Sequence, residues 1–238
     1  MKRIFFYSLL FILLLISCTV TGIDGNRAFA GLEAESKGKE LIKYFEGSPD
    51  YVDVKAGEFI DMDIQYASEN NFAGINLYGD YNSCYLHREA AQKLIAASEL
   101  LGKSRPGWKL LLFDCLRPRR VQKILYEKVK GTPQQSYVAN PAKGSIHNYG
   151  FAVDLSIVDE KGAEIDMGTP FDAFTKLSRP SMEEKFLKEG KLTDKQLENR
   201  KILRSVMEKA GFIQLPVEWW HFDALPKTEV KTKYKIIE

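Results

Sequence analysis

At 238 residues, 45% of them hydrophobic and 28% charged, the chain can bury one sizeable core and is too short for two large domains plus a leader. Its 34 basic and 32 acidic residues give a formal charge of +2, which falls to zero once Lys2 and Arg3 depart with a leader. That balance argues against a nucleic-acid groove or a surface built to attract an anionic membrane.

Residues 1–17 have the form of an export signal: basic Lys2-Arg3, an apolar run from Ile4 to Ile16, then Leu15-Ile16-Ser17-Cys18. The ending matches a bacterial lipoprotein signal, in which the peptide is cut before Cys18 and that cysteine is lipidated. An ordinary secretory peptide or an uncleaved anchor is the alternative, and each places the rest of the chain outside the cytoplasm. Thr19 to Lys37 is poor in large apolar residues, so residues 18–50 are expected to be a lipidated cysteine and tether, with a catalytic domain over 51–238. Oligomeric state has no signature here.

Asp61 to Tyr66 alternates and predicts a strand with Met62, Ile64 and Tyr66 on one face. Leu86, Ala90, Leu94, Ala97 and Leu101 recur at helical spacing, with Gly102 as the expected stop. Trp108 to Phe113 is an apolar run of strand length, followed by Asp114-Cys115-Leu116-Arg117-Pro118 and a helix to Val129. Arg117 therefore stands where a strand ends and a helix begins; an ion pair with Asp114 is its plain structural reading. Residues 131–144 form a loop of the kind that lies over a site. In an oxidising compartment the even pair left after Cys18, Cys84 and Cys115, favours a disulfide, two buried free thiols being the alternative.

The densest chemistry lies in Gly144-Ser145-Ile146-His147-Asn148-Tyr149-Gly150-Phe151-Ala152-Val153-Asp154 and in Glu218-Trp219-Trp220-His221, which hold two of the three histidines. A hydrolytic zinc centre needs three N/O ligands, an open position and a base. His147, Asp154 and His221 fit as ligands of one Zn2+ ion, and Glu218 as the base. After Gly150 the alternation predicts a strand with Phe151, Val153, Leu155 and Ile157 on its buried face and Asp154 opposite. Asp154 then meets His147 only if Asn148-Tyr149-Gly150 turns the chain back. Glu218 and His221, three apart, need a bulge or tight twist to share a face. Taken singly, each segment also reads as ordinary packing or as an edge of a sheet.

Asp159-Glu160-Lys161-Gly162 predicts a hairpin turn, and Met167 to Asp172 returns toward the site. Thr193 and Gln196 form a capping box for a helix to Ala210, with Leu197, Ile202, Val206 and Met207 inward. Phe212–Leu215 and Val217–Phe222 are the expected last strands. Helices with mostly hairpin-linked strands predict a single α+β domain, a central, mainly antiparallel sheet flanked by helices.

Ser145-x-His147-x-x-Gly150-x-Ala152-x-Asp154 with Glu218-x-Trp220-His221 resembles the zinc D-alanyl-D-alanine dipeptidases. Tyr66-Ala67 with Asn71-Phe72, Asp114-x-x-Arg117-Pro118 and Met167-Gly168-Thr169-x-Phe171-Asp172 agree, in the right order from about residue 58 onward. The resemblance implies the fold shared with peptidoglycan D,D-carboxypeptidases and the hedgehog signalling domain. It implies that Arg117 stabilises the oxyanion and that Asp172 and Tyr66 hold the substrate's ammonium. Ser145, beside His147, is a further candidate for substrate binding. The small dipeptide D-Ala-D-Ala is the expected substrate, in cell-wall metabolism or glycopeptide resistance. The alternatives are a D,D-carboxypeptidase acting on muropeptides and a non-catalytic wall-binding protein. Retention of Glu218 speaks against the last, since a binder has no need of a base.

Overall fold

The strand that carries Asp154 is the middle of the fold. In this computed structural model, which describes residues 38–40 and 42–238, β5 (Ala152–Val158) is buried along its whole length, on both faces and not on one. It is central because it is flanked on both sides: antiparallel β4 (Lys109–Asp114) on one, antiparallel β7 (His221–Asp223) on the other. The five-stranded sheet is completed by β2 (Ile60–Met62), parallel to β4, and by β6 (Ile213–Gln214), antiparallel to β7. One parallel pair in an otherwise antiparallel sheet agrees with the α+β expectation. A separate two-stranded ribbon pairs β1 (Tyr51–Val54) with β3 (Cys84–His87).

Among the described residues, the longer helices after the β1–β3 ribbon are α1 (Arg88–Ser104), α2 (Arg119–Val129) and α4 (Asp194–Lys209), with the shorter α3 (Glu183–Lys188) and α5 (Lys227–Lys233). Helix α1 packs against both β4 and α4. Thr193 and Gln196 do form the reciprocal cap of α4, the Gln196 N–H donating to Thr193 Oγ1 at 3.2 Å and the Thr193 N–H to Gln196 Oε1 at 2.9 Å. Inward on α4 are Leu197, Leu203, Val206 and Met207, while Ile202 sits at the edge.

Several expected boundaries move. Leu86 belongs to β3, so α1 begins at Arg88, and Gly102 lies inside the helix. A Cβ there would stand 2.4 Å from Cδ1 of Phe59, so this glycine serves close packing and does not end the helix. The strand expected over 61–66 ends at Met62, and Tyr66 sits instead on a 3-10 turn, Gln65–Ala67. The turn after Asp159 forms, but the returning chain makes a single bridge, Val158 to Glu164. Phe45 is buried against Tyr51 and Tyr85, so packed structure reaches back before residue 51. The export signal over 1–17, Cys18 and the tether to Lys37 lie outside the described residues.

Candidate metal centre and active-site cavity

Strand register sets the site. Asp114 pairs with Asp154 across β4 and β5, after a bulge beyond Leu112, and Asp154 pairs with His221 across β5 and β7. Three chemically active side chains thus stand abreast at one end of the sheet. His147 comes from a 3-10 turn, Ile146–Tyr149, that Gly150 closes in the left-handed conformation, φ 74°. A Cβ on Gly150 would also press on the backbone nitrogen of His87 and the ring of Tyr51, each at 3.0 Å. That turn returns His147 to Asp154: His147 Nε2 lies 3.3 Å from Asp154 Oδ2 and 3.1 Å from His221 Nδ1, which is 3.0 Å from Asp154 Oδ1.

The far side of each imidazole decides what faces inward. His147 Nδ1–H donates to the Cys115 carbonyl at 2.7 Å, and His221 Nε2–H donates to Asp223 Oδ1 at 2.9 Å. Two ring lone pairs and a carboxylate are then turned toward one another, all within 4.8 Å and all buried. Such a set repels itself unless a cation stands between its members, and a nitrogen–nitrogen–oxygen trio suits zinc. Burial opposes charge on His221, but Asp223 and Asp154 hold its imidazolium well above the usual range. Burial likewise opposes ionisation of Asp154, and His147 and His221 outweigh it, keeping the carboxyl well below the usual range.

The partners that orient the candidate ligands escape a motif reading. Asp223 has one visible signal, its place two residues after His221 on a strand and hence on the same face. Cys115 acts through its backbone, for which no side-chain pattern exists. Cys115 is bonded to Cys84, with a Cα–Cα distance of 5.2 Å, tying the end of β4 to β3.

Arg117 is mounted and aimed. Its Nε donates to Asp114 Oδ2 at 2.8 Å, Nη1 to Gln122 Oε1 at 2.9 Å, and Nη2 reaches Asp154 Oδ2 at 3.2 Å. Asp114, fully buried, is itself held by the Tyr78 hydroxyl at 2.5 Å. The ion pair with Asp114 is therefore present, and it fixes a guanidinium that also lines the cavity.

Glu218 reaches the site without the strand bulge expected of it. It sits in the connection between β6 and β7, which the Leu215 N–H closes onto the His221 carbonyl at 3.1 Å. Burial pushes its carboxyl up to about 7, His221 and Arg117 pulling it back only in part. That is the range in which a carboxylate both takes and returns a proton near neutrality.

These groups line a cavity of about 250 Å3 together with Ser145, Tyr66 and Asp172. Asp172 is half-buried and adopts φ 56°, a left-handed conformation that aspartate tolerates better than most residues. The Tyr66 hydroxyl donates to its Oδ2 at 2.9 Å. Burial and the nearby charge of Asp154 push the Asp172 carboxyl well above its usual range. Phe72, Tyr137 and Phe174 form an aromatic wall, Tyr137 and Phe174 stacking at 5.5 Å, so the loop over 131–144 does reach the cavity. His87 does not join the site: it caps α1 and stacks on Phe151.

Comparison with known proteins points to one family. The chain is 30% identical over 167 residues, 69% of its length and 78% of the relative's, to a D-alanyl-D-alanine dipeptidase of Escherichia coli (strain K12). It is 29% identical over 180 residues to one of Enterococcus faecium, covering 68% of this chain and 85% of that one. A third, from Synechocystis, is 28% identical over 171 residues, covering 59% and 69%. The family model for D-ala-D-ala dipeptidases matches residues 49–237, which span the sheet, the cavity and every candidate site residue but Cys18, and the chain belongs to that peptidase family.

Proposed function

We propose that this protein is a zinc-dependent D-alanyl-D-alanine dipeptidase acting outside the cytoplasm, held to a bacterial membrane by a lipid on Cys18. The observation that carries the reading is the convergence of His147, Asp154 and His221 on the floor of a cavity that also contains Glu218, Arg117 and Asp172. His147 Nε2, His221 Nδ1 and an Asp154 oxygen would hold the ion. When bound, zinc supplies a Lewis acid that polarises the scissile carbonyl and makes water a nucleophile at neutral pH.

The remaining chemistry belongs to the chain. Glu218 accepts the proton of the attacking water and delivers it to the leaving amine, so one carboxylate serves as base and then as acid. Arg117 meets the negative charge that grows on the carbonyl oxygen; its position is fixed beforehand by Asp114 and Gln122, so little reorganisation is needed. Asp172 receives the substrate's ammonium, with the Tyr66 hydroxyl steadying the carboxylate. An ammonium arriving there restores the ionised form that burial disfavours. Ser145, on the cavity wall beside His147, is a hydrogen-bonding group for the substrate near the metal.

Purified zinc-loaded protein is expected to cleave free D-Ala-D-Ala at least a hundredfold more efficiently than N-acetyl-D-Ala-D-Ala or a wall pentapeptide. Equal rates on the free and blocked substrates would make it a D,D-carboxypeptidase. Zinc binding without cleavage of any of the three would make it a wall-binding protein.

A further inference from the structure

The cavity's charges are unevenly placed, and the unevenness has a position in the fold. Four carboxylates, Asp154, Asp172, Glu218 and Asp223, share it with Arg117, the two facing histidines and Lys227. A dipeptide with both ends free carries opposite charges about 7 Å apart at full extension. Asp172 answers the positive end. With the metal given to the scissile carbonyl, the negative end enters a cavity lined by four carboxylates, where a further cation would meet it.

Arg117 is already assigned to the carbonyl oxygen, and Asp114, Gln122 and Asp154 hold it in that position. Lys227 remains. Among the described lining residues it is the cation that forms no ion pair and no side-chain hydrogen bond. It is exposed at the first position of α5, directly after Pro226, in the chain that leaves β7 and the His221–Asp223 pair. One turn further along α5, Lys231 hydrogen-bonds the carbonyls of Lys143 and Gly144, so the helix lies against the backbone that leads into Ser145 and His147. Partial burial and the charges of Lys227 and Lys143 lower the Lys231 ammonium; of the nearby carboxylates, Glu229 is paired with Lys233 and Asp223 with His221, which leaves Lys227 without an ion-pair partner among the described residues.

We propose that Lys227 receives the carboxylate of the substrate's C-terminal residue and is thereby a specificity-determining residue for a free carboxyl end. The assignment rests on the dipeptidase reading above. It divides recognition between two elements on either side of β7 in the chain: the loop carrying Asp172 reads the amino end, and the start of α5 reads the carboxyl end. An ammonium at the cavity edge attracts a carboxylate in the ground state and the transition state alike, so its effect belongs in KM and not in kcat.

The test uses the full-length, zinc-loaded protein with D-Ala-D-Ala and its C-terminal amide. Lys227→Met is expected to raise KM for the dipeptide about tenfold with kcat within about twofold, while kinetics on the amide stay unchanged. Lys227→Arg is expected to stay close to wild type on both. Added salt should raise the wild-type KM for the dipeptide and have less effect in Lys227→Met. A second measurement is free of turnover: in the Glu218→Gln background, calorimetric affinity for the dipeptide should fall by the same factor on adding Lys227→Met, and affinity for the amide should not. An unchanged dipeptide KM in Lys227→Met, an equal loss on both substrates, or a wild type indifferent to amidation overturns the assignment and leaves the dipeptidase reading standing. A wild type that cleaves neither substrate rejects that reading, and this assignment with it.

Discussion

The two halves of the cavity are built on different principles. On the metal side, Asp154 and His221 stand on adjacent strands in fixed register, and His147 follows a 3-10 turn closed by Gly150. Both histidines have a second partner behind them, and all three side chains are buried. On the substrate side, Tyr66 sits on a 3-10 turn off the end of β2, Asp172 sits in a loop in a left-handed conformation, and the aromatic wall comes from irregular chain. Metal geometry is thus anchored on the sheet through Asp154 and His221, where an ångström of slack would be costly, and selectivity rests on loops that can change without disturbing it.

The largest expected effect separates the halves most sharply. Glu218→Gln should lower kcat at least about a thousandfold with zinc content at one per chain, since the substitution removes the base and no ligand. His147→Ala, Asp154→Ala and His221→Ala should instead lose zinc, read by metal analysis after dialysis. Full zinc in all three would break the assignment of the sheet-borne side.

A second effect tests how far the metal side depends on its covalent brace. Replacing Cys84 and Cys115 together by serine should destabilise the fold by about 3.7 kcal/mol, as expected from loop entropy for a cross-link spanning 31 positions, visible as a lower Tm in thermal denaturation. Because the Cys115 carbonyl fixes the tautomer of His147, zinc affinity should fall as well, while the preference for free over N-acetylated dipeptide is retained. A lost preference with unchanged zinc affinity would reverse the roles of the two regions.

The smallest effect belongs to the loop side. Asp172→Ala should reduce kcat/KM for D-Ala-D-Ala about a hundredfold and leave the N-acetyl derivative little changed, because only the free ammonium uses that carboxylate. Zinc content should not move. Equal losses on both substrates would make Asp172 a structural residue of its loop.

What the sequence revealed follows the same division. His147, Asp154, Glu218 and His221 were legible because hydrolytic metal chemistry restricts residue type and spacing, and the capping box of α4 because it is a local rule. Tyr66 was found as a residue but placed on the wrong element, since alternation over six positions does not distinguish a strand from a strand that ends in a tight turn. Gly102 looked like a stop because the contact that requires it, with Phe59, is remote in sequence. Glu218 appeared to need a bulge because the short β6–β7 connection is set by pairing across strands. Asp223 and the Cys115 carbonyl went unseen because orientation of a ligand is a property of register and backbone, which no residue type announces.

The inward-facing lone pairs of His147 and His221 have a consequence for how the ion arrives. With both outer nitrogens committed to Cys115 and Asp223, the space between the rings tolerates emptiness poorly, and in metal-free protein a proton on His221 Nδ1 is the natural occupant, shared toward Asp154. On the zinc reading, loading would exchange one cation for another, a proton leaving as the ion is taken up. Apparent affinity should accordingly rise about tenfold per pH unit until that proton is gone, and calorimetry in buffers of different ionisation enthalpy should register one proton released per ion taken up. Zinc content measured after dialysis at falling pH should decline in step with that protonation.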